Sequence, residues 1–194
     1  MKKTYVILAV AAMGLMSCEK LPNLTNFANI SKDFTYKETI DVPKVEGLPD
    51  SLGPLPNGGM SAYLPPMAFA TNSEKYISES GSAINLVKTV TLKQLGVTIV
   101  QPADKNFDFL DTIRVYASAP GLEEQLVAHK YGVPKGLQKL DLDVEPTINM
   151  KEYFLQDTMY VRFGGFFNAV PSTESKIELS TVYNMVANPL QKSE

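Results

Sequence analysis

The chain has no tryptophan, one histidine and one cysteine among its 194 residues. Each scarcity excludes something. A lone cysteine cannot close an intramolecular disulfide, so the fold rests on its core. One histidine and no cysteine cluster leave the usual donors of a transition-metal site missing. A Ser-His-Asp or Cys-His mechanism has only His129 to run through, and no Gly-x-Ser-x-Gly elbow is present. His129 stands in Ala-His-Lys-Tyr at the end of a short strand and reads as an incidental surface residue. The missing tryptophan removes the strongest stacking platform for a sugar ring, although tyrosine and phenylalanine can replace it. Long hydrophobic runs are missing too. The apolar stretch from Tyr5 to Met16 falls short of the about 20 residues that cross a bilayer. These absences leave catalytic residues, cofactors and metals unassigned, and the chain reads as a non-enzyme.

That apolar stretch is nevertheless informative. It follows Lys2 and Lys3 and ends in Leu15-Met16-Ser17-Cys18. A basic start, a short apolar segment and small residues at a cleavage point form a secretory signal. The Leu-x-Ser-Cys ending resembles the lipobox of bacterial lipoproteins. Met16 stands where that motif more often has a small residue. The resemblance covers residues 1–18 only. It implies export, lipidation of Cys18 and attachment to a membrane through that residue. The expected location is the bacterial cell envelope, in the outer membrane, facing the periplasm or the outside. More than one acyl chain on Cys18 gives stable attachment.

Removal of residues 1–17 leaves 177 residues with 16 basic and 21 acidic side chains, a net charge of −5. That length suits one domain with a sizeable core. The mild acidity, with no cluster of Lys and Arg, argues against nucleic acid as a partner.

Along the chain, residues 18–32 are polar and read as a tether. Leu21, Leu24, Phe27 and Ile30 recur at helical spacing, but Pro22 weakens a helix there. Phe34 to Val42 alternates with period two, a strand pattern. Residues 43–66 hold six prolines and four glycines and are expected to wrap irregularly over the body. Ser73–Ser80 reads as one or two helical turns or an edge strand. Further strands are expected over Ile84–Leu92, Val97–Val100 (with Gly96 breaking the run), Thr112–Ala119, Gln125–Lys130, Leu137–Val144, Thr158–Asn168 and Lys176–Ala187. Asn149–Leu155 reads as a short helix between two of them. Turn residues fall between these runs, and no βαβ alternation is present. The pattern predicts one all-β domain over residues 33–190, an antiparallel sandwich, immunoglobulin-like or related, with one short crossover helix.

Four candidate sites follow from the pattern. In the strand Tyr160-Val-Arg-Phe-Gly-Gly-Phe-Phe, Tyr160, Arg162 and Phe166 share one face. With Arg114 and Tyr116 they form a candidate recognition patch, because tyrosine and arginine anchor interfaces. Its partner would be an envelope protein or a glycan. Asp104, Asn106 and Asp108 have the spacing that opens a calcium loop. However, Phe109 and Val115 occupy the slots that need glycine and glutamate, so the segment reads as an Asx turn. Asp141, Asp143 and Glu145 line one strand face, where residues two apart simply alternate to solvent. Hydrolase chemistry on these carboxylates is the least favoured function. Finally, Asp-Ser/Thr-aliphatic tripeptides place candidate O-glycosylation at Ser51, Thr112 and Thr158, and Asn23-Leu-Thr25 and Asn29-Ile-Ser31 match the N-glycosylation acceptor. The function this supports is a membrane-anchored, non-catalytic binding or accessory module, with a surface glycan-binding or adhesion protein as the alternative.

Overall fold

A computed structural model describes residues 29–42, 55, 58–169 and 174–188. Among these described residues nine strands form one antiparallel sheet: β1 (Ile30–Val42), β2 (Met60–Tyr63), β3 (Met67–Ala70), β4 (Val87–Gln101), β5 (Leu110–Ala119), β6 (Leu122–Tyr131), β7 (Lys139–Val144), β8 (Thr158–Phe167) and β9 (Ser175–Ala187). Their order is β1-β9-β4-β7-β6-β5-β8-β2, with β3 also on β8. The sheet curls until its two halves face each other, which is the expected all-β, sandwich-like architecture. The turning point is β7. It pairs with β4 from Leu95↔Leu142 to Thr98↔Lys139, and with β6 only at Ala128↔Val144 and His129↔Asp143.

Alternation decides which faces meet. In β5 Ile113, Val115 and Ala117 are buried, while Arg114, Tyr116 and Ser118 face outward and are half-buried. In β8 Met159, Val161 and Phe163 point inward, and in β9 Leu179, Tyr183 and Met185 do so. These side chains meet Val90, Leu92, Leu95 and Val97 of β4 in one core. Removing apolar area of this kind from water contributes about 25 cal/mol per Å².

The connections follow local chemistry. Pro120 and Gly121 make the two-residue turn from β5 to β6, with Gly121 at φ +76°, where a side chain would strain. Helix α1 (Ser73–Glu79) buries Ile77 and stacks Tyr76 on Phe34 of β1 with ring centroids 4.7 Å apart. Helix α2 (Lys151–Phe154) lies in the expected crossover. Asn149 Oδ1 accepts from the Lys151 and Val90 amides, each at 3.1 Å, and so ties the start of α2 to β4.

Several boundaries differ from the sequence reading. β1 begins at Ile30, inside the stretch read as tether, because Ile30–Lys32 pair with Met185–Ala187. Gly96 does not break β4, since it is paired with Asp141 on one side and Ser180 on the other. β2 and β3 arise at the end of the Pro/Gly-rich segment. Both pair with β8 along one edge, and Leu64 N–H donates to Phe163 O between them at 2.8 Å. Pro65 and Pro66 lack amide hydrogens and interrupt what is otherwise one edge strand.

Candidate functional site

Two features stand out, one on each face of the β8 layer. On the outer face, Arg162 of β8 is paired directly with Tyr116 of β5. Its guanidinium carbon lies 5.0 Å from the Tyr116 ring centroid and 4.4 Å from that of Tyr63 on β2. The Tyr63 and Tyr116 rings themselves are 6.0 Å apart. Arg162 Nε donates to Glu124 Oε1 at 2.8 Å, and the terminal nitrogen to Oε2 completes a two-pronged contact. The Glu124 hydrogen bond raises the Arg162 pKa and holds it cationic. Burial, and then the hydrogen bond to Tyr63, raise the Tyr116 hydroxyl above its ordinary value. Arg114 lies 5.6 Å over the Tyr131 ring and is raised by a hydrogen bond to Tyr131. Tyr131 in turn packs on His129, 4.6 Å between centroids.

The structure thus brings Tyr116 and Arg162 together, with Arg114 two positions along β5. Tyr160 is exposed on the same face of β8, two residues from Arg162. Phe166 is half-buried, with the Gly59 backbone so close that a Cβ there would run into its ring. Tyr63, Glu124 and Tyr131 belong to the patch but escaped sequence reading. Tyr63 sits in the Pro-rich segment, and Glu124 lies before a bulge in β6 that shifts the register at Val115/Tyr116.

The other sequence candidates fall as follows. Cys18 and Ser51 lie outside the described residues, as does Asn23-Leu-Thr25. Thr112 is 8% exposed on a strand paired on both sides. Thr158 is half-buried at the start of β8. In the Asp104–Asp108 segment, Asn106 Oδ1 accepts the Asp108 amide at 3.1 Å, which is Asx-turn chemistry. Asp108 Oδ1 is taken by the Gly136 amide at 2.5 Å. Asp141 and Asp143 point to solvent and pair with Lys139 and Lys130 at 3.1 and 3.3 Å. His129 Nδ1 lies 3.2 Å from Glu145 Oε1.

On the inner face lies a cavity of about 290 Å³. Ile40, Val97, Ile99 and Ile177 line it from the β1-β9-β4 layer, and Ile113, Phe163 and Phe167 from the other. Met60 and Tyr63, 50% and 52% exposed, form its rim. Among the described residues the lining holds no carboxylate, ammonium or guanidinium group. Such a space can hold an apolar group.

The chain matches no family model and no curated protein. Among solved structures it is similar to one described as a decameric BFDV capsid protein, at 10% identity and a TM-score of 0.35, over 81% of this chain and 99% of that one. A likeness at that score carries no argument about function.

Proposed function

We propose that this chain is a lipid-anchored protein of the bacterial envelope that works without catalysis, as a binding module taking an apolar group between its two sheet layers. The cavity carries this reading. It is about twice the ~150 Å³ apolar cavity that stays dry and takes up benzene. An apolar occupant removes this lining from water, a gain of about 25 cal/mol per Å² of apolar surface covered. The anchoring half of the reading rests on the Leu15-Met16-Ser17-Cys18 ending.

Titration of the full chain with a polarity-sensitive fluorescent fatty-acid analogue tests the cavity. Ala62→Phe and Ala169→Phe both add bulk to its lining and are expected to abolish the signal while the melting temperature holds or rises. An unchanged titration in both variants refutes the assignment. For the anchor, Cys18→Ser is expected to lose its lipid mass and its partition into detergent. Labelling intact cells with a membrane-impermeant reagent then distinguishes an outward from a periplasmic domain.

A second reading, a glycan-binding or adhesion surface, draws on Tyr63, Tyr131 and Tyr160, which stand exposed among the outer-face arginines. Tyrosine emission is unobscured in a chain without tryptophan, so a glycan panel that leaves it unchanged counts against this second reading.

A further inference from the structure

β1 is a free sheet edge. Among the described strands it pairs only with β9, and none of its 13 residues is buried. Across its open side a gap of about 460 Å³ separates Tyr36–Asp41 from Met67–Ala70 of β3. An edge of this length, without proline or glycine, is a template for another strand.

Natural sheets deter such addition with charges that point inward, since an added strand would bury them unpaired. β1 has two. Lys32 and Glu38 are registered against Met185 and Leu179, both core residues, and so face the concave side with them. They are opposite in sign and sit symmetrically about Thr35. On the convex face Asp33 and Lys37 are opposite in sign and symmetric about the same residue.

We infer that the partner of this edge is the β1 of a second copy of the chain, paired antiparallel about a twofold axis through Thr35. That axis places each Lys32 opposite the other chain's Glu38 and each Asp33 opposite its Lys37. It also sets Phe34 against Tyr36 and Ile30 against Ile40. Neighbouring registers fail. With the axis at Tyr36, Lys32 faces Ile40 and Glu38 faces Phe34. At Lys37 the lysine meets itself and Asp33 meets Asp41. At Phe34, Lys32 faces Tyr36 and Glu38 faces Ile30. Only the Thr35 register satisfies both inward charges, and satisfied opposite charges set register and partner more than raw affinity. In the single chain these groups have replaceable partners. Lys37 Nζ is 3.2 Å from Glu178, an exposed pair of small value, and Lys32 Nζ donates to the Glu79 carbonyl at 2.7 Å.

The test uses the full-length chain with Thr35→Cys, which brings two thiols face to face across the axis. Under mild oxidation a disulfide-linked dimer is expected. The parent chain, whose one cysteine is Cys18, and Thr39→Cys, whose counterpart across the axis is Ser31, are expected to stay monomeric on the same gel. Added to the Thr35→Cys chain, Lys32→Glu alone and Glu38→Lys alone each face like charges and should lower the yield about tenfold or more. Mixing those two chains should restore it, because each supplies the charge the other lacks; unfolded chains would not recover on mixing. Equal crosslinking of Thr35→Cys and Thr39→Cys overturns the inference. So does a yield that ignores the single charge reversals or fails to return on mixing.

Discussion

The ring of Tyr63 covers Gly164: a Cβ built there would stand 2.5 Å from ring carbons Cδ1 and Cε1. The next residue, Gly165, faces the other way, and a Cβ there would run into the carbonyl oxygen of Thr112. The same change at adjacent positions therefore meets a movable ring in one case and a paired backbone in the other. Gly165→Ala is expected to cost on the order of 3 kcal/mol, from overpacking that β5 cannot relieve. Gly164→Ala should cost clearly less, because Tyr63 is half exposed and can swing aside. Chemical denaturation of the two variants checks the order.

Arg162 and Glu124 form a two-pronged charge contact on the outer face, with side chains 27% and 31% exposed. A double-mutant cycle of Arg162→Ala and Glu124→Ala is expected to give a coupling of about 1 kcal/mol, and less in high salt. A coupling of zero would show that water competes fully at this site.

Tyr183 is buried in the core against Phe34 and Phe154, and burial pushes its hydroxyl up to about 12. In the unfolded chain it ionises near its ordinary value of about 10. The folded state therefore keeps a proton that the unfolded state gives up. Stability is fully present below pH 10 and is lost as pH rises toward about 12. The slope approaches about 1.4 kcal/mol per pH unit for this one group. Tyr183→Phe is expected to remove that share of the decline in denaturation midpoints measured from pH 9 to pH 12.

Asp108 ties two loops, since its carboxylate accepts the Gly136 amide and Lys135 Nζ donates to its backbone carbonyl at 2.8 Å. Asp108→Ala should cost about 1–2 kcal/mol, the price of an unmet amide. Asp108→Asn, which keeps an acceptor oxygen, should cost less. Calcium titration is expected to leave the melting temperature of the parent chain unchanged, because the carboxylate is already engaged.

By itself, the sequence determined the fold class and the wet and dry faces of most strands. A side chain's face follows from its parity along the strand, so Ile113, Val115 and Ala117 inward and Asp141 and Asp143 outward were legible without coordinates. The crossover helix was legible too, because Asn149 and the spacing of Met150 and Phe154 are local signals. Where structure depends on what lies alongside a strand, local pattern misled. Gly96 looks like a break until two neighbours pair with it, and Tyr63 looks like loop until β8 offers an edge to Met60–Tyr63. The outer patch was half legible: Arg162 and Tyr116 share a face by parity, but Tyr63, Glu124 and Tyr131 reach them only through strand order. The cavity and the free edge of β1 were not legible at all. A void is the space that packed side chains leave between layers, and an edge is a strand that no other strand covers. Both are properties of the whole sheet, decided by the order β1-β9-β4-β7-β6-β5-β8-β2 and its curl.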